Sequence, residues 1–158
     1  MNKTELLQAV LNRQLSWIGA ADTRIGLILP VATVMLSVLA ALSPDACDWT
    51  KLSAIPSAIS AILLCSSIVF VAIGSFPRTS GPKGSVIYFG GIASRDSKQY
   101  LETINSLSEE TLLEDLTNQC HRNAQIAEHK FSWVKKGMIA LFLSVVPWVL
   151  SVYFLYSN

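Results

Sequence analysis

The sequence predicts an all-α membrane protein with three transmembrane helices, of which the first and third extend into a small cytoplasmic helical head. The leading observation is the uncharged run 52–76. As a helix it would span roughly 37 Å, which is enough to cross a hydrocarbon core about 30 Å thick. Composition agrees, because 51% of the residues are hydrophobic and 15% are charged, against about 25% charged in a soluble domain. Two more uncharged runs, 25–42 and 137–156, are long enough for the other spans.

Residues 2–42 predict one long helix, half outside the bilayer and half inside it. Residues 2–21 show helical periodicity, and no Gly-Pro break separates them from the run 25–42. Pro30 is expected to be tolerated there, as prolines often are in membrane helices. We expect the flanking charges at headgroup level or paired with a neighbouring helix, since a charge deep in lipid costs about 2.5–3.5 kcal/mol. The expected apolar side comprises Leu7, Val10, Leu11, Gln14, Trp17, Ile18 and Ala21.

The second span is rich in small residues at spacings of three and four, which place several of them on one face. Such a face lets helix backbones approach closely, so we favour helix packing as its role. The alternative is a polar path, or pore, across the membrane. The serines concerned are Ser53, Ser57, Ser60 and Ser67.

The segment 77–107 changes character, because prolines and glycines punctuate it as in a loop. Within it, residues 85–93 are apolar and include β-branched residues, so they predict either a strand or an apolar strip packed against helices. The stretch from Asp96 to Asn105 predicts a short helix.

The remainder predicts a second long helix that continues into the third span. Ser108, followed by Glu109 and Glu110, is typical of a helix start. Lys135 and Lys136 mark the membrane boundary before the uncharged run to the end of the chain. The apolar seam expected ahead of that boundary comprises Leu112, Leu116, Cys120, Ala124, Ala127, Phe131 and Val134.

The distribution of basic residues predicts the orientation. Eleven of the twelve lysines and arginines lie in residues 2–24 and 77–136, and one, Lys51, lies in the short connector between the first two spans. Positive residues favour the cytoplasmic side. We therefore expect a single membrane domain, 1–158, with its N-terminus and a head from 2–24 and 77–136 in the cytoplasm. The first twenty residues do not resemble a cleavable signal peptide.

The sequence shows no convincing catalytic set, so an enzyme is not expected. The weak phosphate-loop alternative in residues 80–85 lacks the required spacing. No cofactor or metal site is predicted, and a net charge of +1 gives no argument for nucleic acid. Arg13, Lys83 and Arg122 would form an anion pocket if the fold brings them together, because guanidinium groups bind phosphate in bidentate fashion.

Three stretches resemble the transmembrane effector domain of bacterial Pycsar anti-phage systems. They are RQLSWIGAADTRIGLIL at 13–29, GPKGSVIYFGGIA at 81–93, and LSEETLLEDLTNQCHRNAQIAEHKFSWVKKG at 107–137, followed by the last span. The resemblance implies that a cognate pyrimidine cyclase makes cyclic CMP or cyclic UMP during infection. The nucleotide then activates an effector that impairs the inner membrane, causing abortive infection. The resemblance does not identify a nucleotide-binding site, so either the head or another subunit senses the ligand.

We therefore expect an oligomeric membrane effector, acting on the lipid bilayer by pore formation or disruption. Its expected partners are a second copy of itself, a cyclic CMP or cyclic UMP ligand, and a functionally linked cyclase. The alternative is a non-lytic membrane scaffold or regulator whose head docks a protein partner, since the same apolar seam would serve that role.

Overall fold

The computed structural model describes residues 2–45, 48–78, 81–82 and 84–157. Five helices follow one another along the chain: α1 (Lys3–Leu42), α2 (Lys51–Ser75), α3 (Phe89–Ala93), α4 (Ser97–Asn105) and α5 (Glu109–Tyr156). Among the described residues there is no strand. The predicted all-α class and the two long helices that continue into spans are confirmed.

Local chemistry explains where these helices begin. Thr50 precedes α2 and accepts a hydrogen bond from the backbone N–H of Ser53. Asp96 forms a capping box with Gln99 at the start of α4, and the Ser108 hydroxyl accepts from the N–H of Thr111 at the start of α5. Each cap satisfies an N–H group that has no partner within the helix.

Residues 85–93 do not form a strand, which was one of the two alternatives predicted from the sequence. They form turns followed by the short helix α3, so the predicted strand is wrong. A glycine pair explains part of this result, because a Cβ on Gly91 would lie 2.2 Å from the carbonyl oxygen of Ser85. The backbone here folds back on itself too closely for a strand.

Three helices, α1, α2 and α5, are long and apolar enough to cross a membrane. In the most apolar 18-residue window of each, at most 33% of the residues are buried. The exposed remainder is strongly apolar, with Leu27, Ile62 and Phe142 each more than 60% exposed. Such a surface is suited to lipid, so this is a membrane protein.

The chain divides into two compact units. We call Ala21–Phe76 with Lys130–Asn158 the span unit, and Met1–Ala20 with Pro77–His129 the polar unit. The helices α1 and α5 each contribute residues to both units.

The span unit packs around two apolar clusters. Gly137 on α5 allows a close approach, because a Cβ there would lie 2.7 Å from Cγ1 of Val71 on α2. Small residues at such crossings permit van der Waals packing between membrane helices. The buried members of the clusters are Ala21, Ile25, Ile28, Val71 and Val134 in one, and Ala32, Leu39 and Leu64 in the other.

In the polar unit, the buried positions follow most of the predicted seam. Leu116, Cys120 and Ala127 are buried on α5, and the Cys120 thiol donates to the carbonyl oxygen of Leu7 on α1 at 3.4 Å. Two members of the predicted apolar sides differ, because Ala124 and Trp17 are exposed. Their helical phase places them at the margin of the packed face.

Candidate functional site

Two groups of polar side chains stand out, one in each unit. The first, in the polar unit, centres on Ser85, which is only 4% exposed. Its hydroxyl donates to Oδ2 of Asp115 at 3.0 Å and accepts from Nε2 of Gln119 at 3.1 Å. The same Asp115 oxygen accepts the N–H of Val86 at 2.8 Å. Asp115 and Gln119, one helical turn apart on α5, therefore hold the start of residues 84–91, which we call the turn segment.

Arg95 and Tyr100 hold the same segment from another direction. The Arg95 guanidinium donates to the carbonyl oxygens of Ser85, Gly84 and Gly91 at 2.7–3.0 Å. The Tyr100 hydroxyl donates to the carbonyl oxygen of Val86 at 3.0 Å. Because three of its hydrogen bonds go to backbone carbonyl oxygens of this segment, Arg95 acts as a structural clamp on it.

A cavity of about 180 Å³ lies beside this cluster. Its described lining carries two carboxylates, Glu114 and Asp115, and no basic side chain. The two carboxylates offer hydrogen-bond acceptors to this cavity. The remaining lining residues are Pro82, Gly84, Ser85, Val86, Leu107, Thr111 and Asn118.

The three residues of the predicted anion pocket are distributed as follows. Arg13 is exposed on α1, and Arg122 is half-buried on α5, where it donates to the Gln125 side chain at 3.3 Å. Lys83 lies outside the described residues. The pocket therefore stays a prediction.

The second group lies in the span unit, on the inner face of α2. Seven residues of that helix are buried, and four of them are the serines singled out from the sequence. Two serines of α5, Ser144 and Ser151, are also fully buried. The face comprises Ser53, Ser57, Ser60, Leu64, Ser67, Val71 and Gly74.

The hydroxyls on this face differ in their hydrogen-bond partners. Ser57 donates to the carbonyl oxygen of Ser53 at 2.7 Å, one turn back on its own helix. Ser67 donates across to the carbonyl oxygen of Gly137 on α5 at 2.8 Å. Ser60 is fully buried, and among the described residues its hydroxyl oxygen has no partner.

The sequence assigns this chain to a family. The family model described as the Pycsar effector protein domain matches residues 6–157. This chain belongs to the Pycsar effector family. The match includes all three apolar helices and nearly all of the polar unit, so both groups of polar side chains lie within the family's domain.

Two curated Pycsar effectors are similar to this one. The Pycsar effector protein PtPycTM of Propioniciclava tarda is 24% identical over 156 residues, covering 92% of this chain and 77% of the relative. The Pycsar effector protein SaPycTM of Staphylococcus aureus is 32% identical over 79 residues, covering 49% of this chain and 50% of the relative. No solved structure matches this Pycsar effector.

The hydrogen-bonded cluster around Ser85 is not evident from the sequence. One signal was available, because Asp115 and Gln119 are spaced by four and adjoin Leu116 and Cys120 of the predicted seam. Polar residues beside a buried seam often satisfy a neighbouring backbone. The sequence could not show that Asp115 and Gln119 would both hydrogen-bond to Ser85, because Ser85 lies 30 positions before Asp115.

Proposed function

We propose that this chain is an anti-phage effector that impairs the bacterial inner membrane, by pore formation or disruption, when a cyclic pyrimidine nucleotide signals infection. The observation that carries the proposal is the family match over residues 6–157. It is supported by three helices long enough to cross a bilayer. Because α1 and α5 contribute to both units, a rearrangement in the polar unit has a covalent route into the spans.

The test is dye uptake in bacteria that express the chain together with its cognate pyrimidine cyclase. We expect propidium iodide to enter after phage infection, before cell death. The matched control is a cyclase variant without activity, which should leave the membrane intact. Cells that die with intact membranes would contradict membrane impairment, and a stoichiometric partner without toxicity would favour the scaffold alternative.

We propose further that the polar unit senses the nucleotide and that Arg13, Lys83 and Arg122 bind its phosphate. Calorimetry of the detergent-purified chain with cyclic CMP, cyclic UMP and cyclic AMP tests the assignment. Arg122→Ala should weaken binding of a pyrimidine nucleotide, and Lys98→Ala, an exposed lysine elsewhere on the unit, should not.

The proposed effector is a homo-oligomer with its N-terminus in the cytoplasm. The eleven-to-one division of basic residues supports this orientation. In a chain with Cys47, Cys65 and Cys120 replaced by serine, a cysteine placed near the N-terminus should resist an impermeant thiol reagent added to intact cells and react after lysis. Crosslinking in native membranes should give bands above the monomer, before or after activation.

A further inference from the structure

The inner face of α2 carries more hydroxyl groups than close packing requires. Four of its seven buried residues are serines, and α5 adds two fully buried serines to the interior of the span unit. The exposed side of the same spans is apolar, as Ile62 and Phe142 illustrate. The buried face of α2 is therefore rich in hydroxyl groups, although lipid does not reach it.

The exposed hydroxyls of α1 show the usual way to accommodate such groups in an apolar solvent. Thr33 donates to the carbonyl oxygen of Leu29 at 2.8 Å, and Ser37 donates to that of Thr33 at 2.9 Å. Each thereby satisfies its proton within its own helix. Serine can occupy a membrane helix at small cost when this bond is made.

Ser60 departs from that rule. It is completely buried on α2, and its hydroxyl oxygen has no partner among the described residues. An unpaired buried hydroxyl destabilises the state that buries it, whereas alanine would occupy the same space without that cost. Packing in the resting chain therefore gives no reason for serine at position 60.

We propose that this hydroxyl face of α2, with Ser60 at its centre, becomes the water-contacting lining of the path that opens in the active effector. The inference rests on the proposed membrane-impairing function and names the surface through which it acts. The species that contact the face are water and small hydrated ions, because serine hydroxyls both donate and accept hydrogen bonds and carry no charge. In that state Ser60 gains the partners that the resting state denies it.

The first test is cysteine accessibility in proteoliposomes. A chain with Cys47, Cys65 and Cys120 replaced by serine receives Ser60→Cys. The matched control keeps Cys65, which is exposed on the same helix five positions away. A cationic methanethiosulfonate reagent should block leak of small ions, followed with a trapped ion-sensitive dye, through the Ser60→Cys chain after cyclic CMP or cyclic UMP is added. It should leave leak through the Cys65 control unchanged.

The outcomes separate this inference from the function on which it rests. If the unmodified chain leaks but Ser60→Cys is never blocked, the lining is wrong and the proposed function stands. If the unmodified chain does not leak with either nucleotide, the proposed function fails and the lining fails with it. Block of the Cys65 control alone would assign the path to the opposite face of α2.

The second test separates packing from function at one position. Ser60→Ala should leave the melting temperature of the detergent-purified chain equal to or above that of the unmodified protein, because it removes an unpaired group. The same change should favour the resting state over the active state, because the active state loses a water-contacting hydroxyl. Leak should fall by roughly five- to thirtyfold. A stable Ser60→Ala chain with unchanged leak would overturn the proposal, and Ser60→Thr, which restores a hydroxyl, should recover leak.

Discussion

The polar unit and the span unit maintain their structures in different ways. In the polar unit, Asp115, Arg95 and Tyr100 donate to or accept from backbone groups of the segment 84–91. The described part of the span unit shows few bonds between distant elements, such as Ser67 to Gly137 and Trp148 to Met35. The difference follows from the backbone: a turn segment leaves N–H and C=O groups for side chains to satisfy, whereas a long helix satisfies its own.

The two units also differ in where their closest contacts lie. The span unit brings helices together at small residues such as Gly137 and Gly74, where an added Cβ would meet neighbouring side-chain atoms at 2.7 and 3.0 Å. The polar unit has its closest approach at Gly91, within the turn segment. Hydrogen bonds from side chains to the backbone should therefore dominate the stability of the polar unit. Close packing of helices at small residues should dominate the stability of the span unit.

Removing the carboxylate that anchors the turn segment should have the largest effect. Asp115→Ala leaves the N–H of Val86 and the hydroxyl of Ser85 without their acceptor, which should cost about 2–4 kcal/mol of unfolding free energy. Hydrogen exchange of residues 84–96 should accelerate accordingly. Glu114→Ala is the matched control, because Glu114 is an exposed carboxylate on the preceding residue. Equal hydrogen-exchange rates of residues 84–96 in both variants would contradict the anchoring role of Asp115.

Adding one methyl group at the helix crossing should have the next largest effect. Gly137→Ala places a Cβ 2.7 Å from Val71 Cγ1, so overpacking should cost about 1–3 kcal/mol. Gly26→Ala is the control, since a Cβ there meets no atom within 4 Å and should be neutral or stabilising by up to about 1 kcal/mol. Thermal unfolding in detergent measures both, and similar midpoints would refute close packing of α2 on α5.

Breaking the hydrogen bond between α2 and α5 should have a smaller effect. Ser67→Ala removes the donor to the carbonyl oxygen of Gly137, and such bonds between membrane helices contribute about 0.6 kcal/mol on average. Ser66→Ala removes only a bond to the carbonyl of Ile62 on the same helix. Steric trapping or denaturant unfolding should rank Ser67→Ala below Ser66→Ala in stability, and the reverse order would contradict this contact.

The smallest effect concerns the Cys120 thiol of the polar unit. Burial raises the pKa of Cys120 above its ordinary value of 9.0, so its thiolate fraction at neutral pH falls below that of free cysteine. Its small contribution to stability is present below the unfolded-state pKa and is lost as pH rises through the folded-state pKa. In a Cys47→Ser, Cys65→Ser chain, alkylation by iodoacetamide should be slower than for free cysteine. Equal rates would show that the thiol is accessible.

Much of the fold could be predicted because helices are local structures. The capping residues Asp96 and Ser108 and the uncharged run 52–76 indicate where α4, α5 and α2 lie, and α1 continues from residue 3 to 42 as its unbroken pattern predicts. Residues 85–93 could not be predicted in the same way. Their apolar, β-branched composition left a strand and an apolar strip as alternatives, and contacts with Arg95 nearby and with Asp115, 29 positions after Val86, hold them in turns.

The candidate sites were also predictable only where local helical periodicity decides the outcome. Spacing of three and four was enough to place Ser53, Ser57, Ser60 and Ser67 on one face, because helical periodicity fixes direction. Only the packed structure shows that Ser67 has a partner on α5 while Ser60 has none among the described residues. Hydrogen bonds between elements depend on relative helix position, which periodicity does not contain.

The sequence by itself determined that this chain is built from long apolar helices, since charge, hydropathy and capping act within a few residues. The tertiary structure decided which polar groups are buried and which of them are satisfied. Burial and pairing depend on atoms far apart in the chain, and those atoms meet only when α1, α2 and α5 pack together.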